Sequence, residues 1–168
     1  IDVPESVINE RMKYRSICPK CQTSRSLKLF PTSYVEYDEK NKIFYLLCDN
    51  PACKKAKMAT KEGDELGIEA IRDRIEMDGK LAKLAFSLYG VPKILLRNSI
   101  PQNLAEQYVD KYEITPEYVY KWNPKSKKTE ISEKPWIVAD NEGNPSYSLL
   151  APPVVVAMIK KIAETLNL

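Results

Sequence analysis

Apolar residues repeat every three or four positions in several parts of the chain, which is the spacing of one face of an α-helix. A short leading helix is also expected directly after Pro4. The sequence therefore predicts helices at residues 5–11, 64–75, 81–89, 104–112 and 152–166.

Glycine and proline mark the expected ends of these helices. Asp78-Gly79 is expected to separate the second helix from the third. Gly90 is the expected C-terminal cap of the third helix, and Pro92 prevents its continuation. The terminal helix is expected to begin at Pro152-Pro153, because proline is favoured in the first helical turn. A strand through residues 154–156 is the alternative for that segment.

Shorter segments are rich in aromatic and β-branched residues and are separated by polar turns, which predicts strands joined as hairpins. Together with the helices, these hairpins indicate an α+β fold class with a mainly antiparallel sheet. The predicted strands are residues 33–37, 43–47, 93–97, 118–122, 129–132, 136–138 and 147–150.

Composition limits the class of protein. The chain has 168 residues, of which 43% are hydrophobic and 29% charged, so it has enough apolar material for a core. It contains no apolar run of transmembrane length, and its start at Ile1 does not resemble a signal peptide, so we expect a soluble cytoplasmic protein. The absence of an initiator Met is compatible with further residues before Ile1. Few glycines, 12 prolines and abundant Lys and Glu are typical of thermophile proteins, although ordinary variation in composition is the alternative.

Four cysteines form two close pairs, Cys18 with Cys21 and Cys48 with Cys53. Two tight turns that each present two thiolates are typical ligands of a tetrahedral zinc ion, and Lys20 favours the thiolate form. Two disulfides are the alternative, but disulfides are uncommon in a protein without a secretion signal. Because four thiolates fill the coordination sphere, we predict one structural Zn²⁺ without a catalytic role.

Residues 14–60, with these two pairs and a hairpin between them, resemble the zinc-ribbon superfamily. The string from Cys48 to Cys53 is similar to that of small phage-type transcription-activator zinc domains, but the longer central spacer and the large C-terminal part depart from that pattern. The resemblance implies a ribbon fold and no particular function. We predict two domains, a zinc ribbon with a leading helix at 1–60 and an α+β domain at 61–168.

Basic residues are concentrated beside the cysteines. Residues 1–60 carry 11 Lys and Arg against 7 Asp and Glu, whereas the rest of the chain is nearly neutral. In a ribbon the two pairs meet at the metal, so their basic neighbours should converge at one end, with Tyr14 and Phe30 nearby. Lysine and arginine can neutralise phosphates, and aromatic rings can stack on bases. The predicted nucleic-acid-binding residues are Arg11, Lys13, Arg15, Lys20, Arg25, Lys28, Lys54, Lys55 and Lys57.

Other interpretations of the charged and aromatic residues stay open. The basic cluster can be a solvated surface that offsets the charge of a zinc–thiolate site, or the ribbon can bind other proteins. Tyr118, Tyr120, Trp122 and Trp136 are expected to pack in the core and across strands, with a base-stacking platform as the alternative. The lysines of residues 125–128 are expected to be solvated, with phosphate contact as the alternative.

No catalytic motif is evident. The chain has no histidine, and its cysteines are committed to metal, which removes the commonest general base and a thiol nucleophile. It lacks dinucleotide-binding, P-loop and H-E-x-x-H motifs. Asp73, Glu76, Asp78 and Lys80 are close enough in sequence for the Mg²⁺ site of a nuclease, but their spacing is more typical of the polar face of a helix. We therefore expect a binding protein and not an enzyme.

These observations predict a nucleic-acid-associated zinc-binding accessory protein of a transcription, translation or replication complex. Its expected partners are RNA or DNA and the protein subunits of that complex. Contact is expected through the phosphate backbone, because no base-reading helix is evident. The alternative is a structural protein–protein adaptor without nucleic-acid contact.

Overall fold

The structure is a computed structural model, which describes residues 1–109 and 113–168. These residues form helices and short antiparallel strands, so the predicted α+β class is confirmed. The α-helices are α1 (Glu5–Lys13), α2 (Arg72–Ser87), α3 (Gln102–Tyr108) and α4 (Ala151–Leu166). The strands are β1 (Arg15–Ile17), β2 (Ser24–Ser26), β3 (Tyr34–Asp38), β4 (Ile43–Leu47), β5 (Ala59–Thr60), β6 (Ser99–Pro101), β7 (Pro116–Asn123), β8 (Lys128–Pro135), β9 (Ile137–Ala139) and β10 (Pro145–Ser148). The 3₁₀-helices are Pro51–Cys53 and Asp64–Ile71.

Contacts divide the chain into two units, each made of separate stretches. The cysteine unit comprises Glu10–Leu66 and Pro116–Trp136, and the helical unit comprises Ile1–Asn9, Gly67–Thr115 and Ile137–Leu168. The predicted domains, 1–60 and 61–168, are consecutive segments and therefore differ from this division. The β7–β8 hairpin lies in the cysteine unit because the Tyr118 N–H donates to Lys28 O and the Tyr120 hydroxyl donates to Leu27 O, each over 2.7 Å.

Small antiparallel sheets form the cysteine unit. β1 pairs with β2 and β5, β3 pairs with β4, and β7 pairs with β8. The last two pairs confirm the predicted hairpins at 33–47 and 118–132, and they extend β7 and β8 to 8 residues each. The buried residues of one core cluster are Cys18, Leu46, Cys48, Cys53 and Met58.

Aromatic rings join the β3–β4 hairpin to the β7–β8 hairpin. Tyr37 stacks on Trp122 with ring centroids 4.9 Å apart, and Phe44 lies 5.5 Å from Tyr120. Trp136 is buried, with 1% of its surface exposed. These contacts favour the packing interpretation of the aromatic residues over a base-stacking platform.

Arg15 and Asp64 form a bidentate ion pair within the cysteine unit. Arg15 Nε lies 2.7 Å from Asp64 Oδ2, and Nη2 lies 2.5 Å from Oδ1. Asp64 is only 3% exposed, and a buried carboxylate requires a partner of this kind. Hydrogen bonding to Asp64 raises the pKa of Arg15. Arg15 therefore stabilises the fold of this unit.

A three-stranded sheet in the order β6-β10-β9 is the centre of the helical unit, and its β9–β10 hairpin confirms the one predicted at 136–150. Asn98 precedes β6, and its Nδ2 donates to Leu149 O over 2.9 Å while its Oδ1 accepts from the Ser148 hydroxyl over 3.2 Å. The Asn98 N–H donates to Asp2 O, which joins the first residues to this unit. The buried core residues here are Leu96, Leu149 and Val154.

The predicted break between two helices at Asp78-Gly79 is wrong. α2 is continuous through both residues, and Arg74 forms an i,i+4 ion pair with Asp78 at 3.9 Å. Glycine in a helix interior costs only about 1 kcal/mol relative to alanine, so the other residues of a 16-residue helix can tolerate it. The predicted start at Asp64 is a 3₁₀-helix, kinked where Gly67 has a positive φ of 58°. Gly90 is not the cap of α2, since Leu88 takes that position.

Other differences concern short segments of the helical unit. The predicted strand at 93–97 is wrong, because Arg97 forms only an isolated bridge with Asp2 and the strand begins at Ser99. α3 confirms the fourth predicted helix as far as Tyr108, and Tyr112 of that prediction lies outside the described residues. α4 confirms the terminal helix, so the alternative strand at 154–156 is wrong. Among the described residues, no helix is long and apolar enough to cross a membrane.

Candidate metal centre

The four cysteines lie at the ends of elements of the cysteine unit. Cys18 directly follows β1, and Cys48 directly follows β4. Cys21 lies in the turn between β1 and β2, and Cys53 is the last residue of a 3₁₀-helix. Antiparallel pairing of short strands therefore delivers two loops to one place, and each loop carries two thiols.

Backbone hydrogen bonds shape the first turn. Cys18 O accepts from the Gln22 N–H, and the Cys18 N–H donates to Thr23 O, each over 3.0 Å. Gln22 takes a left-handed conformation with φ of 59°, which reverses the chain directly after Cys21. The loop can thus direct Cys18 and Cys21 to the same side.

The second turn has an asparagine cap. Asn50 Oδ1 accepts from the Ala52 N–H over 3.0 Å, and Asn50 O accepts from the Cys53 N–H over 2.9 Å. Lys54 and Lys55 follow with φ of 49° and 53°, an uncommon conformation for residues other than glycine. This reversal brings the chain back to Cys48, whose N–H donates to Ala56 O over 2.9 Å.

The sulfur atoms have the separations expected of metal ligands. All four lie within 4.8 Å of one another, and Cys21 Sγ lies 3.6 Å from Cys48 Sγ. A disulfide would need a separation of about 2.05 Å. Two thiolates on one tetrahedral Zn²⁺ would be about 3.8 Å apart, given Zn–S bonds of about 2.3 Å. The four cysteines can therefore hold a metal ion, and none of them forms a disulfide.

Hydrogen bonding and burial affect the thiols differently. Thr23 Oγ1 lies 3.2 Å from Cys21 Sγ. Hydrogen bonds of the Thr23 hydroxyl and of the Thr23 N–H lower the pKa of Cys21 to about 6. The Cys21 N–H contributes most to lowering the pKa of Cys18. Burial raises the pKa of Cys53 to about 12. A divalent cation would favour the thiolate form of all four cysteines and would link the two turns.

Comparison of the chain with protein-family models, with curated proteins and with solved structures found no match.

The structure brings some of the predicted basic residues together near the four cysteines. Lys20 Nζ donates to Cys53 O over 3.2 Å, so a side chain of the first turn reaches the second. Arg25 Nη2 lies 3.6 Å from an Asp49 oxygen, and the Arg25 guanidinium lies over the ring of Phe30. Lys20 is therefore close to the turn that carries Lys54 and Lys55, as the sequence predicted for a ribbon.

Other predicted basic residues have structural partners. Arg15 is paired with Asp64, as described above. Lys28 Nζ lies 2.7 Å from Glu10 Oε2 and 4.9 Å from the centre of the Tyr14 ring. Arg11 and Lys13 lie in the last turn of α1. Since ion pairs occupy Arg15 and Lys28, these two side chains are poorly placed to neutralise phosphates.

Two tyrosines beside the lysines were missed in the sequence analysis. Lys55 Nζ lies 4.2 Å from the centre of the Tyr34 ring, and Lys57 Nζ lies 4.0 Å from that of Tyr45. Alternation along β3 and β4 predicts that each tyrosine points to one face of its strand. Whether the two rings share a face depends on the register of the hairpin, which the sequence does not show. That register places Glu36 opposite Tyr45.

The predicted alternative Mg²⁺ ligands lie on α2. Asp73 and Glu76 are exposed, and Asp78 is paired with Arg74. In the part of the chain that the structure describes, the cysteines form the one group of three or more potential ligands with atoms close enough to share an ion. The lysines of residues 125–128 lie at the exposed tip of the β7–β8 hairpin.

Proposed function

We propose that the four cysteines hold one structural zinc ion, and that the cysteine unit is a zinc ribbon. The chemistry of the donor set supports this proposal, since four thiolates favour Zn²⁺ over hard cations such as Mg²⁺ and Ca²⁺. Four cysteines would leave no open position for a substrate, so the ion would stabilise the fold and take no part in a reaction.

We further propose that the protein is an accessory subunit of a transcription, translation or replication complex and binds the phosphate backbone of a nucleic acid. The observation that carries this proposal is the contact of Lys20 with Cys53, which adds Lys20 to the basic residues of the second turn. No ion pair within the described residues joins Lys20, Lys54, Lys55 or Lys57 to a carboxylate. The charges of these four lysines are thus less compensated than those of Arg15 and Lys28, although Asp38 attracts Lys57 beyond contact distance.

The proposed interaction is electrostatic. Each lysine that neutralises a phosphate releases counterions, so affinity falls as the salt concentration rises. Four such contacts to a single strand would give a slope of log K against log[salt] of about −3. The protein subunits of the complex are the other proposed partners.

A charge-reversal experiment tests this function. The variant K54E/K55E/K57E should abolish binding to a fluorescently labelled 20-nucleotide strand, measured by anisotropy at low salt. The matched control K125E/K127E/K128E makes the same charge change at the tip of the β7–β8 hairpin and should retain most of the affinity. Absence of a wild-type complex at low salt, or an equal loss in both variants, would overturn the proposal.

The alternative function, a protein–protein adaptor, is favoured by the exposed apolar surface of α4. Val155, Ile159, Ile162 and Leu166 recur at helical spacing and are each at least 39% exposed. Self-association through this face is the simplest case, and light scattering of the wild type and of Ile159→Lys measures it. A wild-type chain that stays monomeric at all concentrations would exclude self-association, and a pull-down that recovers no stable partner would count against the adaptor.

A further inference from the structure

We infer that Tyr34 and Tyr45 form a stacking site for unpaired bases, so that the nucleic acid bound by this protein is single-stranded. The inference rests on the proposed nucleic-acid-binding function and specifies the class of ligand. It adds Tyr34 and Tyr45 to a surface for which the sequence predicts basic residues with Tyr14 and Phe30 nearby.

The register of the β3–β4 hairpin places both rings on one face. Side chains alternate between the two faces of a strand, so Tyr34 and Glu36 point to the same side. Glu36 pairs directly with Tyr45, which makes Tyr34 and Tyr45 diagonal neighbours. Such neighbours lie about 7–8 Å apart, a separation that leaves room for a base on each ring.

The opposite face of the same hairpin is already in use. Tyr37 and Phe44 point to that side and pack against Trp122 and Tyr120 of β7. Tyr34, by contrast, is 41% exposed, although a tyrosine ring can contribute much apolar surface to a core. The second face is open at Tyr34, whereas Tyr45 on the same face is half-buried and Leu47 beside Tyr34 is buried.

The Tyr45 ring is held in place at its polar end. Its hydroxyl donates to Glu36 Oε2 over 2.8 Å, and this hydrogen bond contributes most to raising the pKa of Tyr45. A ring with a fixed orientation loses little conformational freedom when a base stacks on it. Glu36 is thus a positioning residue of the site.

A lysine lies over each of the two rings. Lys55 and Lys57 are exposed and alternate along the chain, with their ammonium groups about 4 Å from the ring centres of Tyr34 and Tyr45. An exposed cation on a ring is held weakly, so a base can displace it. The displaced ammonium group remains within reach of the phosphate of the same nucleotide. Each Lys–Tyr pair can therefore bind one nucleotide through its base and its phosphate.

This geometry selects single strands. The faces of bases in a duplex are covered by their neighbours, whereas those of an unpaired strand are available to aromatic rings. Stacking of this kind is tolerant of sequence because every base has a π-face. We expect little discrimination between single-stranded DNA and RNA by these two pairs.

Anisotropy with a 20-nucleotide strand, as DNA and as RNA, and with the corresponding blunt duplex tests the inference. The wild type should bind both single strands at least about 10-fold more tightly than the duplex, and Y34L/Y45L should remove that preference. Duplex affinity and the salt slope should stay unchanged in this variant. Y34F keeps its ring and should retain single-strand affinity, whereas Y45F loses the hydrogen bond to Glu36 that orients its ring and should retain only part of that affinity. Y89L/Y108L removes two exposed tyrosines of the helical unit and should have no effect.

The outcomes separate this inference from the function on which it rests. Equal wild-type affinity for single strand and duplex, or full single-strand binding by Y34L/Y45L, would overturn the stacking site and leave phosphate binding intact. Absence of binding to any of the ligands at low salt would overturn both. If Y34L/Y45L does not fold, the single variant Tyr34→Leu carries the same test, because Tyr34 is exposed and its replacement should leave the fold intact. The expected loss of single-strand affinity is then smaller, since only one ring is removed.

Discussion

Cys21 Sγ lies 3.6 Å from Cys48 Sγ, although the two residues belong to different pairs in the sequence. Contact between the pairs distinguishes one shared site from two separate disulfides, each of which would join the members of one pair. A bound ion would therefore link the turn after β1 to the turn after β4. The stability of the cysteine unit should then depend on that ion.

Replacing Cys48 by Ser should abolish metal binding and destabilise the protein. A structural zinc site in small domains is worth about 10–16 kcal/mol of apparent binding free energy, most of which is coupled to folding. We expect one zinc ion per wild-type chain by elemental mass spectrometry, nearly none in the variant, and a much lower temperature of unfolding. Asp49→Asn, in the same turn, should keep the ion. A wild-type protein whose unfolding does not respond to a chelator would contradict the prediction.

Arg15→Gln should reduce stability without affecting nucleic-acid binding. Its guanidinium pairs with Asp64, and a buried carboxylate that loses its charged partner costs about 3–5 kcal/mol. Urea denaturation should show a loss of this size, and Asp64→Asn should show a similar one. The salt slope of nucleic-acid binding should stay that of the wild type. A reduced slope with unchanged stability would instead place Arg15 at the phosphate-binding surface.

Tyr120→Phe should change how stability depends on alkaline pH. Burial raises the pKa of Tyr120 above its ordinary value of 10, so the folded protein holds this proton more tightly than the unfolded chain. The resulting stabilisation is complete below pH 10 and is lost as the pH rises above that value. At neutral pH the variant should be about 1 kcal/mol less stable than the wild type, because it lacks the hydrogen bond to Leu27 O. Between pH 10 and 11 the stability of the variant should decline less than that of the wild type. Urea denaturation at several pH values measures both effects, and Tyr89→Phe controls for loss of a hydroxyl group.

Gly79→Ala should stabilise the protein by about 0.5–1 kcal/mol. Gly79 lies inside α2, and a Cβ atom there would meet no other atom within 4 Å. The same substitution at Gly143, which has a φ of 86°, should destabilise the protein because alanine does not favour that conformation. Thermal unfolding and helical circular dichroism distinguish the two variants. A loss of stability in Gly79→Ala would contradict a continuous α2, because alanine is less favourable than glycine where a helix breaks.

Most elements could be predicted because their signals are local. The alternation of Tyr34–Asp38 and Ile43–Leu47 and the spacing of apolar residues in α4 are properties of short segments. The errors also have a local origin, since Gly79 interrupts helix propensity but not α2. Lys93–Arg97 is apolar enough for a strand but lacks a paired neighbour beyond the bridge at Arg97.

The sequence by itself determined which residues can ligate a metal, because two closely spaced pairs of cysteines are the typical ligand set of a tetrahedral zinc ion. It also determined where positive charge is concentrated. Tertiary structure decided which of those charges are available, since only the fold pairs Arg15 with Asp64 and leaves Lys55 and Lys57 on tyrosine rings. The physical reason is range: ligand type and propensity belong to single residues, whereas ion pairs and strand register join residues that are distant along the chain.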